Sequence, residues 1–292
     1  MSAASQIWSV GIRVRNEFRK HPLVRPLWDP LEGFLWPIGA RLFPAPKQAQ
    51  TVRLDQAIDL IVPAGAPSYR TLATGLYERA VVAVARSTVQ SGMTVIDIGA
   101  NIGFYSTLFS RLVGPSGRVF AFEPDPEAFS CLEQNLQRNS CSNVVANRQA
   151  VSGTVGLARF VRKDFERGFL SKAATPNTSE VQTTTLDEFM AKQGGCSVDF
   201  VKMDIEGAEV SALSGMQQIA RANPALRLIV EVNSGALERS GYSEESLRLA
   251  LSGLGYERAA LLEEGMRPID LATALPKTHT SYNLYLSKNA AG

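Results

Sequence analysis

Histidine and cysteine are scarce in this 292-residue chain, with two histidines, His21 and His279, and three cysteines, Cys131, Cys141 and Cys196. Neither set has metal-ligand spacing, and an odd number of widely separated thiols is no disulfide framework, so no metal site is expected and the chain reads as cytoplasmic. Net charge is also lacking: 30 basic against 28 acidic residues leave nothing to attract a polyanion, which argues against nucleic acid as a partner. No apolar run approaches the roughly 20 residues a bilayer crossing needs, and no signal-peptide core opens the chain. Internal repeats are absent as well.

An apolar fraction of 45% supplies ample core for one large domain. Residues 1–70 read as an N-terminal extension, helical and then rich in proline and aromatics, and residues 71–292 as the main domain. Ile7, Val10, Val14 and Phe18 lie at helical spacing among Arg13, Arg15, Arg19 and Lys20. Such a stripe packs on the domain or on a second subunit of a homo-oligomer, and peripheral contact with an anionic membrane stays open beside that. Trp28, Phe34, Trp36 and Phe43, interrupted by prolines, are too apolar for a solvated linker.

From Gly75 the pattern becomes regular. A helical stretch to about Val89 precedes the short apolar run Thr94 to Ile98, and a helix from about Gly103 to Val113 leads through a Gly-Pro-Ser-Gly turn to a second run, Arg118 to Phe122. Asp125-Pro126-Glu127 is a helix start, with the aspartate as N-cap. Thr185 to Glu188 has capping-box spacing, and Val198 to Met203 is a buried strand ending at Asp204. Further strands are predicted at Arg227 to Val232, near Tyr256 to Leu262 and at Tyr282 to Ser287, with a helix from Ser243 to Leu254. The stretch Ser171 to Glu180 reads as a loop inserted over the active site. This alternation makes the fold α/β, a doubly wound, Rossmann-like, mainly parallel sheet, which binds ligands beyond the carboxyl ends of its strands.

The first of those ends carries Asp97-Ile98-Gly99-Ala100-Asn101-Ile102-Gly103, whose glycines let the backbone turn against a ligand and whose Asn101 tolerates positive φ. Glu123 stands 20 residues beyond Gly103 at the next strand end, where a carboxylate can take both ribose hydroxyls. A dinucleotide fingerprint is broken, because Asn101 and Phe104 occupy its second and third glycine positions. Asp97 would repel a pyrophosphate but suits the ammonium and sulfonium of S-adenosyl-L-methionine. Asp204, Glu206 and Glu209 cluster at the end of the fourth strand and Glu231 ends the fifth, so Asp204 or Glu206, with Glu231 behind them, are the candidate bases for an acceptor hydroxyl. Alternatively Asp204 merely caps the next helix and Glu209 sits in its first turn. Lys202 pairs with a carboxylate, orients the acceptor, or is solvated.

The stretches TVIDIGANIGFYS (94–106), AFEP (121–124), TTLDEF (184–189) and VDFVKMDIEGAE (198–209) resemble, in order, the motifs of the FkbM-type methyltransferases. The resemblance covers about Leu76 to Leu286. It implies a class I fold with a seven-stranded sheet and an antiparallel last strand, S-adenosyl-L-methionine as donor, and O-methylation of a hydroxyl on a sugar, glycolipid or secondary metabolite. It also implies that Asp97, Gly99, Asn101, Gly103 and Glu123 hold the cofactor. The family often has a histidine soon after the fifth-strand glutamate; here Asn233 stands there, too weak a base to take over a proton. The competing functions are a nicotinamide-dependent oxidoreductase and a non-catalytic binding module that keeps the fold.

Overall fold

The computed structural model describes residues 46–54, 58–164, 167–171, 177–276 and 281–288. The helix expected near Ile7, the aromatic stretch Trp28 to Phe43 and both histidines lie outside them. The chain forms two compact units that divide between Arg79 and Ala80. In the first, β1 (Gln50–Leu54) and β2 (Ile58–Val62) pair antiparallel, with Arg53 and Asp59 joined at 2.7 Å across the exposed face. Val52, Leu54, Ile58, Leu60 and Val62 form the buried side. The short helix α1 (Tyr69–Ala73) packs on β1, which draws the residues just beyond position 70 into this unit.

In the second unit, α2 (Arg79–Thr88) leads into β3 (Thr94–Ile98), α3 (Phe104–Val113), β4 (Arg118–Phe122), α4 (Pro126–Arg138) and β5 (Val144–Asn147). Helix α2 begins later than the apolar pattern suggested: Glu78 has a φ of 38° and belongs to the preceding turn, not to the helix. The Asp125 side chain caps α4 by accepting from the amides of Glu127 and Ala128, as its sequence signature predicts.

A small second sheet follows, built from β6 (Ala150–Val151), β7 (Gly156–Arg162), β8 (Gly168–Ser171) and β9 (Thr178–Thr184) in the order β6-β9-β7-β8. The loop expected over Ser171 to Glu180 is therefore shorter. Thr178 to Glu180 pair antiparallel with Arg159 to Val161, because β-branched and alternating residues fit a ladder better than their polarity suggested.

The main sheet is completed by α5 (Leu186–Lys192), β10 (Phe200–Met203), α6 (Glu209–Ser214), α7 (Gln217–Ala222), β11 (Arg227–Asn233), α8 (Ser234–Arg239), α9 (Glu244–Gly253), β12 (Arg258–Leu261), β13 (Arg267–Asp270) and β14 (Ser281–Ser287). Its order is β13-β12-β14-β11-β10-β3-β4-β5. Strands β5, β4, β3, β10 and β11 run parallel, and β14 is antiparallel to both neighbours. The sheet has eight strands where seven were expected. Gly265 and Met266, both left-handed (φ 68° and 67°), turn the chain back so that Arg267–Asp270 adds an outer strand on β12.

Both faces are covered, as the nearly complete burial of β3, β4 and β10 requires, although Asp97 and Lys202 interrupt the apolar runs of β3 and β10. On one face Phe189 of α5 meets Phe120 and Phe122 edge to face, with ring centroids 5.4 and 4.8 Å apart. On the other, Phe109 of α3 meets Phe200 at 5.6 Å, while Leu132 and Leu136 of α4 pack with Ala121. From β3 the chain winds outward through β4 and β5 in one direction and through β10 and β11 in the other. The carboxyl ends of β3 and β10 thus flank the topological switch point, where a crevice opens in such sheets.

Candidate active site

At the end of β3 the backbone turns through three left-handed residues, Gly99 (φ 82°), Asn101 (φ 50°) and Gly103 (φ 89°). A Cβ on Gly99 would lie 1.9 Å from the carbonyl oxygen of Asp204, so the absence of a side chain lets the ends of β3 and β10 close on each other. Asn101 accepts the amide of Ile102 on Oδ1 at 2.7 Å and donates its own amide to Glu123 Oε2 at 2.9 Å. Glu123 Oε1 accepts from the Asp125 amide at 2.8 Å, which fixes the carboxylate between the two turns. Burial pushes the Glu123 carboxyl up to about 7, against the pull of those two amides and with added repulsion from Asp125 and Asp97.

Asp97 is fully buried. Its Oδ2 accepts from the Ser106 hydroxyl at 2.6 Å, and its Oδ1 has no hydrogen-bond partner among the described residues. Burial raises its pKa, opposed by the charge of Lys202 and the bond from Ser106. A buried carboxylate oxygen without a partner costs about 1–3 kcal/mol or more, which a cationic ligand group would recover. Glu123 uses two of its roughly four acceptor sites and keeps capacity for hydroxyl donors. These residues therefore fit the ammonium and ribose of S-adenosyl-L-methionine.

On the other side of the switch point, Asp204 leaves β10 and accepts from Lys202 Nζ at 3.1 Å. Burial works against ionisation of Asp204, but the Lys202 charge and bonds from Glu231 and Lys202 prevail and hold it below the usual carboxylate range. Glu231 is the opposite member of this pair. Burial and then the Asp204 charge push it well up, while the Ser281 hydroxyl donates to its Oε1 at 2.5 Å. Within this pair Asp204 is thus the member that favours ionisation and Glu231 the one that favours its proton. Glu206, in a left-handed conformation (φ 53°), is raised first by burial and then by Asp204, with Arg239, Arg167 and Lys163 pulling the other way. Arg239 comes within 3.6 Å of it and lies over the Phe169 ring of β8, so the inserted sheet borders this side.

The helix-cap interpretation of Asp204 does not hold: Ala208 is the N-cap of α6, and Asp204 is committed to Lys202 and Glu231. Glu209 does have a local role. It is buried, and its Oε1 accepts from the amides of Ile205 and Gly207 at 3.1 and 3.2 Å, folding the loop after β10 back on α6. Asn233 caps α8 by accepting the Ala236 amide at 3.1 Å. The solvated alternative for Lys202 is overturned, because the residue is 2% exposed and its Nζ sits 4.5 Å from the centroid of the Tyr105 ring. Among the described residues no group of three or more His, Cys, Asp or Glu side chains is arranged to hold a metal ion.

Three contributors escaped the sequence reading. Ser106 and Ser281 carry no signal beyond being hydroxyls near strand ends. Arg162 of β7 forks onto Asp125, with Nε–Oδ2 and Nη2–Oδ1 both 2.5 Å, and reaches Glu127 at 2.6 Å, tying the inserted sheet to the turn that holds Glu123. Only the fold brings these residues together.

A family model described as the methyltransferase FkbM domain matches residues 97–258, more than half of the chain. A hexuronic acid methyltransferase, AglP, of Haloferax volcanii is 27% identical over 158 residues, covering 54% of this chain and 63% of its own length. A 31-O-demethyl-FK506 methyltransferase, FkbM, of Streptomyces tacrolimicus is 29% identical over 161 residues, covering 44% and 61%. The chain thus spans less than two thirds of the length of these curated relatives. Among solved structures, a methyltransferase FkbM from Methylobacillus flagellatus is 18% identical, aligned over 75% of this chain and 54% of its own, with a TM-score of 0.44. The chain belongs to the FkbM family of class I S-adenosylmethionine-dependent methyltransferases.

Proposed function

We propose that the protein transfers a methyl group from S-adenosyl-L-methionine to a hydroxyl oxygen of a sugar, glycolipid or secondary metabolite, with residues 71–292 as the catalytic domain. The observation that carries this is the pairing of two different carboxylate environments at the adjacent ends of β3 and β10. On the β3 side stands Asp97, with a buried oxygen lacking a partner among the described residues; on the β10 side stands Asp204, bonded to Lys202 and held low, beside Glu231, which burial and Asp204 push up. The first suits a cationic donor and the second an acceptor that must lose a proton. The relatives named for hexuronic acid and for a demethylated macrolide support the substrate class.

When bound, the donor would supply an electrophilic sulfonium-borne methyl group that passes to an oxygen nucleophile, with the neutral thioether S-adenosylhomocysteine as leaving group. Asp97 would face the cationic part of the donor, Glu123 would take the ribose hydroxyls, and Gly99, Asn101 and Gly103 shape the turn between them. Asp204 would hold the acceptor hydroxyl and accept its proton, which becomes acidic enough for a weakly basic carboxylate only as the oxygen gives up electron density. Glu231, pushed up by burial and the Asp204 charge, would keep its own proton more readily and donate a hydrogen bond to Asp204 instead of competing for the acceptor's proton. Glu206 borders the same mouth with Arg239.

The test is transfer of a tritiated methyl group from S-adenosylmethionine to a panel of free hexoses, hexuronic acids and extracted glycolipids. The wild type should label at least one class as an alkali-stable methyl ether. The Asp204→Asn variant should keep S-adenosylhomocysteine binding within threefold and lose about 100-fold or more in turnover, the scale of a general base. Full turnover in Asp204→Asn would remove it from the chemistry, and an alkali-labile methyl ester as product would place the methyl group on a carboxylate instead.

A further inference from the structure

Lys202 is the most buried cation of the site, and its position is defined from three sides. In the register of the sheet it stands directly beside Asp97 of β3 on one side and Ile229 of β11 on the other. Its Nζ lies 3.1 Å from Asp204 Oδ2 and 4.5 Å from the Tyr105 centroid, so one ammonium is desolvated between a carboxylate and an aromatic face. Its charge acts on Asp97 as well as on Asp204. A lysine buried this deeply carries a large desolvation cost, which only close anionic partners offset.

Strand packing alone does not ask for a charge here, since the β10 residue preceding Lys202 on the same face, Phe200, is apolar and fully buried. We propose that Lys202 is a positioning residue that divides the labour of the two aspartates: its ammonium fixes the Asp204 carboxylate on the acceptor side, while Asp97 Oδ1 is left for the donor. This rests on the methyltransfer reading for its meaning, but the placement of Lys202 stands without it. Other charged or titratable groups face the cluster. Asp97 comes from β3, Tyr105 from α3, Glu231 from β11, Glu206 and Glu209 from the segment after β10, and Arg239 of α8 acts through Glu206. Of these, Lys202 alone is a cation bonded to Asp204.

The decisive experiment uses full-length protein labelled with ¹³C at the aspartate carboxyl carbon, titrated from pH 3 to 9 by NMR with and without S-adenosylhomocysteine. The Asp204 resonance is assigned from Asp204→Asn and that of Asp97 from Asp97→Asn. In wild type Asp204 should stay ionised through neutral and mildly acidic pH, and S-adenosylhomocysteine should move the Asp97 resonance. In Lys202→Met the Asp204 midpoint should rise by about one pH unit or more, the scale of a lost ion pair, and Lys202→Arg should restore it. An unchanged midpoint in folded Lys202→Met, or a ligand response at Asp204 with none at Asp97, overturns the proposal.

Where Lys202→Met does not fold, the double variant Lys202→Met/Asp204→Leu decides. Recovery of cooperative unfolding supports the pairing, because replacing both members of a buried pair is far milder than removing one. Continued failure overturns it by showing that Lys202 balances another group. Should wild type bind no S-adenosylhomocysteine, the donor reading fails while the Asp204 midpoint still reports on Lys202.

Discussion

Replacing Glu209 by glutamine should make the protein more stable at alkaline pH and abolish part of the pH dependence of folding. Glu209 Oε1 accepts two loop amides, while its buried Oε2 has no hydrogen-bond partner among the described residues. The native state therefore favours the neutral acid. Burial, opposed by the loop amides, raises the group from 4.5 to about 7. Between those values the folded state holds a proton that the unfolded state has released, so stability is highest below about pH 4.5 and falls as pH rises. Linkage over that interval gives a loss of about 2–3 kcal/mol between pH 5 and pH 8 from this one residue.

Glutamine keeps the Oε1 acceptor and places an amide where the neutral acid has its hydroxyl, so Glu209→Gln should be near-neutral at pH 5. At pH 8 it should be more stable than wild type by roughly 2–3 kcal/mol. Urea unfolding at pH 5, 6, 7 and 8 on both proteins measures this as a difference of slopes, which removes the contributions of Asp97, Glu123, Glu206 and Glu231 common to both. Parallel slopes would refute the reasoning, for they would mean that Glu209 is ionised in the native state and that its unpartnered oxygen carries no penalty.

The donor pocket gives further expectations. Because Glu123 titrates near 7 and must be ionised to take two ribose hydroxyls, S-adenosylhomocysteine should bind about tenfold tighter at pH 8 than at pH 6, with the dependence gone in Glu123→Gln by calorimetry. Gly99→Ala forces a side chain into a φ of 82° and against the Asp204 carbonyl, so it should destabilise the protein by at least about 2 kcal/mol in urea and weaken donor binding. Arg162→Ala should lower the melting temperature and weaken S-adenosylhomocysteine binding severalfold, since the Asp125 carboxylate it clamps belongs to the turn that holds Glu123.

Much of this was legible in the chain. The central parallel strands are short, mostly apolar runs with an acid at or near the carboxyl end, a pattern that burial on both faces favours in β3, β4 and β10. Caps at Asp125 and Thr185 are local chemistry and were read directly. What escaped depends on partners distant in sequence. The β1–β2 hairpin is two five-residue strands with only weak alternation, and β13 depends on a left-handed turn at Met266 that residue type does not announce. Lys202 looked like an ordinary lysine because its burial comes from Tyr105 and Asp204. The strand-end acids could be listed from sequence, but the lowering of Asp204 by Lys202 and the raising of Glu231 by burial and the Asp204 charge depend on contacts that only the fold makes.

The central claim is that the turn between Asp97 and Glu123 is a site for S-adenosylmethionine, and calorimetric titration of the full-length protein with S-adenosylhomocysteine, NAD and NADP tests it most directly. The expected result is one site for S-adenosylhomocysteine, none for either nicotinamide nucleotide, and a loss of roughly 100-fold in affinity in Glu123→Ala from two charge-assisted hydrogen bonds. Binding of NAD or NADP, or S-adenosylhomocysteine affinity untouched by Glu123→Ala, would contradict it.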